Sequence, residues 1–236
     1  MKKFELTAEF VTNVFGKKLF RIKALVAFGN VEKGELGGFI EKEDNLSHDG
    51  DAWVSGNAQV SGNARVCGDA QVSGNARVCG DARVCGNARV CGNARVCGNA
   101  QVCGDAQVCG DARVCGNARV CGNAQVSGNA QVYGNAQVYG NARVCGNAQV
   151  SGNADYAVVA GFGRYFRTTT FFRCKDKILR VQCGCFYGDL AQFREIVKKT
   201  HGDSKYAKEY LAIADLMELH FSDKCGGEQM NDGKIY

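Results

Sequence analysis

A hexapeptide that repeats without interruption dominates this chain. From Ala52 to Asn153 the residues form seventeen hexapeptides of the pattern A-[QR]-V-[SCY]-G-[ND], with no insertion or deletion and with Trp53 as the one exception, in the second position of the first unit. Alanine and valine lie two residues apart, so in an extended backbone both side chains point to the same side. Glycine followed by Asn or Asp then supplies a corner, because both residue types tolerate positive φ. Each hexapeptide is therefore one short strand and one turn.

Such a strand cannot bury its own valine, so successive strands are expected to wrap and stack into a solenoid. A helix is excluded because a period of six matches neither 3.6 nor 3.5 residues per turn. Three hexapeptides per coil predict roughly 5.7 coils, and a shaft on the order of 27 Å long at a coil spacing of about 4.8 Å. The predicted fold is mainly β: a parallel β-helix whose narrow interior holds only valine and alanine.

The rest of the composition excludes several classes of protein. No stretch approaches about 18 consecutive apolar residues, so no membrane span is predicted. The first residues, MKKFELTAEF, lack the apolar run of a signal peptide. The 14 cysteines are therefore expected to be reduced in a cytoplasmic protein. A net charge of +5 is too mild to argue by itself for nucleic acid, which is not the expected partner but stays open.

Non-repetitive segments flank the repeat and predict three parts. Residues 1–45 contain an alternating stretch over 19–25 after a Gly16-Lys17 turn, which indicates a β-hairpin that caps the shaft. Residues 46–156 form the shaft, which begins with a degenerate repeat that places His48 in the valine slot. Residues 157–236 are predicted to form an α+β module of two strands and two helices, followed by a loose polar tail.

The C-terminal module is predicted in more detail. Two strands are expected over 164–174 and 178–183. Asp189 is expected to cap the first helix, and a second helix follows with Tyr206 and Tyr210 on its apolar stripe. Because the module is larger than a cap needs to be, we expect it to bind a protein partner, with Tyr206 and Tyr210 among the binding residues.

Two outward-facing slots of the repeat carry its polar chemistry. Gln or Arg precedes each valine after Val54, and a spacing of 18 residues stacks Arg77, Arg95 and Arg113 into a stripe that is either solvated or faces an anion. Ser, Cys or Tyr follows each valine and stacks in three ladders. Neighbouring rungs would admit disulfides or a soft metal, but ladder ligands diverge instead of converging, so a tolerant solvent-facing slot is preferred. The cysteines in this slot are Cys67, Cys79, Cys85, Cys91, Cys97, Cys103, Cys109, Cys115, Cys121 and Cys145.

Outside the shaft, the pair Cys183 and Cys185 is the only hint of a metal site. Alternation along a strand would place both thiols on one face. The indication of zinc is weak, because no second CxxC or HxxxH motif follows. No metal and no cofactor are therefore expected.

Three N-terminal segments resemble a known family. The stretches LFRIKAL (19–25), GELGGFIEKE (34–43) and NLSHDG (45–50), with the V-x-x-x-A-x pattern, are similar to the YdcK-like proteins. These are left-handed parallel β-helix proteins of the hexapeptide-repeat type, classed as acyltransferases and frequent in prophage genes. The resemblance implies left-handed winding and, as one possible activity, acetyl-CoA-dependent acyl transfer. The segment from 184 to 210 resembles a module of phage-encoded proteins.

The acyltransferase activity is expected to carry over poorly. Hexapeptide-repeat acyltransferases have a catalytic histidine on the coils and a long loop that leaves the helix, often in a trimer. Between His48 and His201 the chain has no histidine, so His48 is the sole candidate base, and its valine slot predicts that it is buried. The preferred hypothesis is a non-enzymatic scaffold or binding protein, derived from a phage or prophage and directed at a host factor. A dimer or trimer stays open.

Overall fold

Three parallel sheets build the shaft, as the period of six predicts. The computed structural model describes residues 1–222, and within them each strand pairs with the strand three hexapeptides away: Arg95 pairs with Arg77 on one side and Arg113 on the other. One coil therefore takes 18 residues, and the chain forms a parallel β-solenoid of about six coils. The left-handed winding stays a prediction from the resemblance.

Each face of the shaft is a ladder of two-residue strands. The first face contains Trp53–Val54 (β4), Gln71–Val72 (β7), Arg89–Val90 (β10), Gln107–Val108 (β13), Gln125–Val126 (β16) and Arg143–Val144 (β19). The second face contains Gln59–Val60 (β5), Arg77–Val78 (β8), Arg95–Val96 (β11), Arg113–Val114 (β14), Gln131–Val132 (β17) and Gln149–Val150 (β20). The third face contains Arg65–Val66 (β6), Arg83–Val84 (β9), Gln101–Val102 (β12), Arg119–Val120 (β15) and Gln137–Val138 (β18).

The interior of the shaft is made of valine and alanine, as predicted. Every repeat alanine and valine from Ala52 to Val150 is at most 1% exposed. Full burial of a valine side chain stabilises a fold by about 1.5–3 kcal/mol, so each rung contributes through the same small residues. The narrow interior leaves chemistry to the outward slots and to the two ends.

The corners of the shaft depend on glycine, whose φ angles lie between +62° and +73° from Gly56 to Gly146. The neighbouring Asn or Asp does not share this left-handed conformation, because the only described non-glycine residues with positive φ are Phe166 and Lys177. The amide side chains bond from rung to rung instead: Asn99 Nδ2 donates to Asn117 Oδ1 at 3.0 Å. Asn and Asp therefore suit this corner position because their side chains form hydrogen bonds from one rung to the next.

The N-terminal segment covers the first rung. Strands Phe4–Thr12 (β1) and Lys18–Ala24 (β2) form the predicted hairpin, and Leu36–Ile40 (β3) continues the second face by pairing with β5. A 3-10 turn, Glu43–Asn45, leads into the shaft. Trp53, which takes the outward slot before the first repeat valine, is nevertheless 2% exposed because Phe28 packs edge-on against it, with ring centroids 5.4 Å apart.

The C-terminal module is a four-stranded antiparallel sheet followed by two helices. After a 3-10 turn, Asn153–Asp155, the strands are Tyr156–Val159 (β21), Thr169–Arg173 (β22), Leu179–Cys183 (β23) and Phe186–Asp189 (β24). The helices are Leu190–His201 (α1) and Lys205–Ser222 (α2). The prediction of two strands is wrong: β21 and β24 were missed, and 164–168 is a loop. The predicted loose tail, with Cys225, falls largely in 223–236, outside the described residues.

The module also closes the C-terminal end of the shaft. Phe172 of β22 joins the hydrophobic core of the solenoid, and the Arg143 backbone N–H donates to Thr170 Oγ1 at 3.0 Å. At the opposite end, the buried Lys3 ammonium donates to the carbonyls of Gly50 and Ala52 at 3.0 and 2.9 Å. Both ends are thus covered, which leaves the sides and the module as accessible surfaces. In residues 1–222 no helix is long and apolar enough to cross a membrane.

Candidate functional site

His48 does not occupy the valine slot. Leu46 pairs with Val66 across the third face and is 2% exposed, whereas the His48 side chain is 30% exposed. The prediction that His48 is buried is therefore wrong. The first corner contains two residues more than the repeat does, so counting back in sixes from Val54 misplaces the slot.

Both ring nitrogens of His48 are engaged. The Lys3 backbone N–H donates to Nδ1 at 3.1 Å, which makes Nδ1 the acceptor nitrogen of the neutral ring. Nε2 lies 3.0 Å from Glu43 Oε1 and donates to it. Hydrogen bonds from Lys2 and then from His48 lower the pKa of Glu43, so this partner stays ionised. The imidazole also stacks on Phe4, with centroids 4.4 Å apart.

A cleft of about 610 Å³ lies beside this histidine, with Glu43, Ser47 and Cys67 in its lining. A general base needs a free lone pair within hydrogen-bond reach of the proton that it removes. The lone pair of His48 already accepts from the backbone of Lys3. The geometry therefore fits a residue that fastens the N-terminal strand to the first corner.

The arginine stripe lies on the second face in the register that the spacing predicts. Arg77, Arg95 and Arg113 are exposed on consecutive rungs. The turn of the β1–β2 hairpin, with Val14 and Phe15, stands over this face and forms a cleft of about 220 Å³. The hairpin turn thus lies next to Arg77 and Arg95, whereas Arg113 does not line this cleft.

The ten shaft cysteines are all partly exposed and reduced, as expected for a slot that faces outward. Burial is the main cause that raises the pKa of Cys103, to about 12, and of Cys109. The pair Cys79 and Cys97 differs. The hydrogen bond from Cys97, with the charges of Arg77 and Arg95, lowers the pKa of Cys79 to about 7. The same hydrogen bond raises the pKa of Cys97.

Cys183 and Cys185 do not share a strand face. Cys183 ends β23, and Gly184, with a φ of +58°, forms with Cys185 the tight turn before β24. Cys183 Sγ accepts a hydrogen bond from Thr169 Oγ1 at 3.2 Å, whereas Cys185 is exposed. The two cysteines therefore do not alternate along one strand as expected, although both line the same cleft beside α1. Among residues 1–222, no group of three or more potential metal ligands converges.

The two tyrosines proposed for binding occupy different environments. Tyr206 is 38% exposed, but Tyr210 is buried and packs edge-on against Phe193, with centroids 5.9 Å apart. Burial is the main cause that raises the pKa of Tyr210, followed by its neighbour Cys183. Tyr210 is therefore a core residue that lines the floor of a cleft, and Tyr206 lies outside the apolar stripe predicted for α2.

An exposed loop that the sequence reasoning missed forms the rim of that cleft. Residues 160–168, the aromatic loop, connect β21 and β22 and expose Phe162, Tyr165 and Phe166 by 44%, 61% and 73%. The guanidinium groups of Arg164 and Arg167 lie 5.5 and 4.9 Å from the Tyr165 ring centroid. The cleft, of about 220 Å³, lies between this loop and α1. The glycines that flank Phe162 were the available sign of a loop.

The comparisons with known proteins concern the shaft. The family model of the YdcK beta solenoid repeat matches eight overlapping stretches: residues 58–74, 70–86, 82–98, 88–104, 106–122, 112–128, 130–146 and 136–152. The shaft is therefore a run of YdcK-type beta-solenoid repeats, and the family resemblance is confirmed for this part of the chain. The matched stretches include neither the N-terminal cap nor the C-terminal module. A search of curated proteins found no significant match.

Proposed function

We propose that this protein is a non-enzymatic scaffold, derived from a phage or prophage, that binds a host protein through its C-terminal module. The solenoid supplies a rigid shaft of identical rungs, and the module fixed to its end presents the binding surface. This function requires no cofactor. The observation that carries the proposal is the aromatic loop.

The composition of the aromatic loop is that of a protein-binding surface. Aromatic residues and arginine are enriched at the centres of protein interfaces, where a few such residues contribute most of the binding free energy. Here three aromatic rings and two guanidinium groups lie within six consecutive residues, 162–167. The adjacent apolar cleft, floored by Phe193 and Tyr210, offers a pocket for a partner side chain.

The loop is also held in place before any partner binds. The Gly163 backbone N–H donates to Glu209 Oε2 of α2 at 2.8 Å. Phe166 adopts a φ of +50°, a left-handed conformation that costs an L-residue about 1–2 kcal/mol. Because the Phe166 ring is exposed, its burial does not offset the backbone strain. Strain of this kind clusters at functional sites. Preorganisation reduces the ordering cost of binding.

The acyltransferase alternative, with acetyl-CoA as cofactor, has weaker support. Only the cleft beside His48 favours it, and the ring nitrogens of that histidine are engaged with Lys3 and Glu43. Acetyl-CoA turnover that is abolished in His48→Ala but retained in Lys3→Ala, which keeps the backbone N–H, would establish the enzymatic function instead.

The binding function is tested with the full chain as bait in host lysate. The double variant Tyr165→Ser and Phe166→Gly removes two exposed rings, and glycine at 166 relieves the left-handed strain. The matched control is Leu216→Ser and Leu219→Ser, which removes exposed apolar side chains of α2. We expect a captured protein that the loop variant loses and the control retains.

Capture that survives the loop variant, or that both double variants lose equally, would contradict the proposal. Capture that disappears after nuclease treatment would instead indicate a nucleic acid at the arginine stripe. Sedimentation of the free protein tests the separate expectation of a dimer or trimer.

A further inference from the structure

The pair Cys79 and Cys97 forms a cluster that the proposed partner site does not use. The two residues lie on adjacent rungs of the second face, since Val78 pairs with Val96 and the Cys79 backbone N–H donates to the Val96 carbonyl at 2.9 Å. Both thiols are partly exposed and line the cleft under Phe15. An ion can therefore reach both sulfurs.

The hydrogen bond between the two thiols and the charges beside them favour the thiolate form of Cys79. The hydrogen bond from Cys97 lowers the pKa of Cys79 most, and Arg77 and Arg95 in the preceding slots lower it further, to about 7, so thiolate is abundant near neutral pH. No other ladder pair combines a lowered thiol pKa with an arginine on each of its two rungs among the described residues. The hydrogen bond from Cys97 to Cys79 places a proton between the two sulfur atoms, and a cation that bridges the sulfurs would take the same position.

The rung spacing disfavours two other uses of the pair. In a parallel, in-register ladder the Cα–Cβ bonds of neighbouring rungs are parallel, so the Cβ atoms are separated by about the rung spacing of 4.8 Å. A disulfide requires Cβ atoms about 3.5–4.5 Å apart. A tetrahedral zinc site requires convergent ligands, and no group of three converges among residues 1–222.

We propose that Cys79 and Cys97 bind one soft, two-coordinate cation, of the class of Cu(I), Ag(I) or Hg(II), between their sulfur atoms. Thiolates select soft metals, and two collinear metal–sulfur bonds of about 2.3 Å span about the rung spacing. On binding, the proton shared by the two sulfurs passes to water, as does the proton of Cys79 where that thiol is still protonated, and two metal–sulfur bonds form. With a monovalent ion the complex carries a charge of −1, which Arg77 and Arg95 offset.

The proposal is tested by titrating Cu(I) into the reduced full-length protein without oxygen, in competition with a chromophoric chelator. The double variant Cys79→Ser and Cys97→Ser is compared with Cys91→Ser and Cys109→Ser on the first face. Serine already occupies this slot at Ser61 and Ser73, so both variants are expected to fold. We expect one tight equivalent that the first variant weakens at least tenfold and the second retains.

Equal affinities in the two double variants, or copper uptake that simply follows the number of cysteines, would overturn the proposal. So would native mass spectra in which Cys79 and Cys97 lose two hydrogens to form a disulfide while no metal is bound. The variant Arg77→Gln and Arg95→Gln tests the electrostatics, because glutamine already fills this slot at Gln59. We expect severalfold weaker binding at pH 7, because loss of the two charges raises the pKa of Cys79 and leaves less thiolate, and unchanged binding would refute the role of the arginines.

Discussion

Substituting a single corner glycine tests whether the rungs pack as closely as the structure shows. Gly98 has a φ of +69°, and a Cβ added there would lie 3.1 Å from both the N and the O of Gly116 on the next rung. Gly140, on the last coil, has a φ of +67° and would meet nothing within 4 Å. The pair Gly98→Ala and Gly140→Ala therefore separates the conformational cost of alanine from the clash.

The two costs differ in size. The left-handed conformation costs alanine about 1–2 kcal/mol at either position. At Gly98 the clash adds about 1–3 kcal/mol, the usual cost of overpacking, because relief would lengthen the 2.8 Å hydrogen bond from the Asn99 N–H to the Gly116 carbonyl. We expect Gly98→Ala to lower the free energy of unfolding by about 2–5 kcal/mol and Gly140→Ala by about 1–2 kcal/mol.

Urea denaturation followed by far-UV circular dichroism measures both losses, and amide hydrogen exchange at Asn99 reports the local opening of the rung. Equal losses in the two variants would refute the reasoning, since the clash would then contribute nothing. Unchanged protection of the Asn99 amide in Gly98→Ala would do the same.

Three further predictions follow from local contacts. Asp189→Ala removes the carboxylate that accepts the Gln192 N–H at 2.8 Å. We expect the free energy of unfolding, measured by urea denaturation, to fall by about 1 kcal/mol, and an unchanged value would show that Asp189 does not stabilise the start of α1. Asn45→Ala leaves the carbonyls of Gly62 and Ala64 without their Nδ2 donor, and we expect the protein to lose about 1–3 kcal/mol, measured as a lower Tm; an unchanged Tm would show that water replaces the amide. Iodoacetamide should label Cys79 before the other shaft thiols at pH 7, with a rate that falls about tenfold per pH unit well below its pKa of about 7 as thiolate is protonated. Peptide mapping measures this order, and uniform labelling of the ladder would contradict it.

The shaft could be predicted from the sequence because its period is unambiguous. Buried valine and alanine, the 18-residue coil and the stacking of Arg77, Arg95 and Arg113 all follow from a strict six-residue spacing. The prediction was wrong where the period is broken: between Leu46 and Val54 the chain uses eight residues in place of six, so His48 lies outside the slot assigned to it. The path of that corner depends on the buried Asn45, which does not fit the repeat pattern, and on Lys3, which is distant from the repeat in sequence.

The module was harder to predict because its elements depend on tertiary contacts. Asp189 could be recognised as a cap from the sequence alone. The strand β24 has only four residues, one of which is Gly188, so its composition does not indicate a strand. The segment is extended because it pairs with β23. The exposure of the aromatic loop could not be read from its apolar residues, which by composition are those of a core strand.

The repeat itself explains where a specific function has to lie. The rungs share one interior and differ outside mainly by Gln or Arg and by Ser, Cys or Tyr, so a site that binds one partner or one ion needs a place where the surroundings of a rung differ further. Two such places, besides the cleft next to His48, are the cleft under the hairpin turn and the aromatic loop. The hairpin turn with Phe15 stands over Cys79 and Cys97 on the second face, which distinguishes this thiol pair from the other ladders. The aromatic loop interrupts the C-terminal sheet beside α1. Because the two sites share no residue, loop variants that lose the partner should still bind Cu(I) with wild-type affinity.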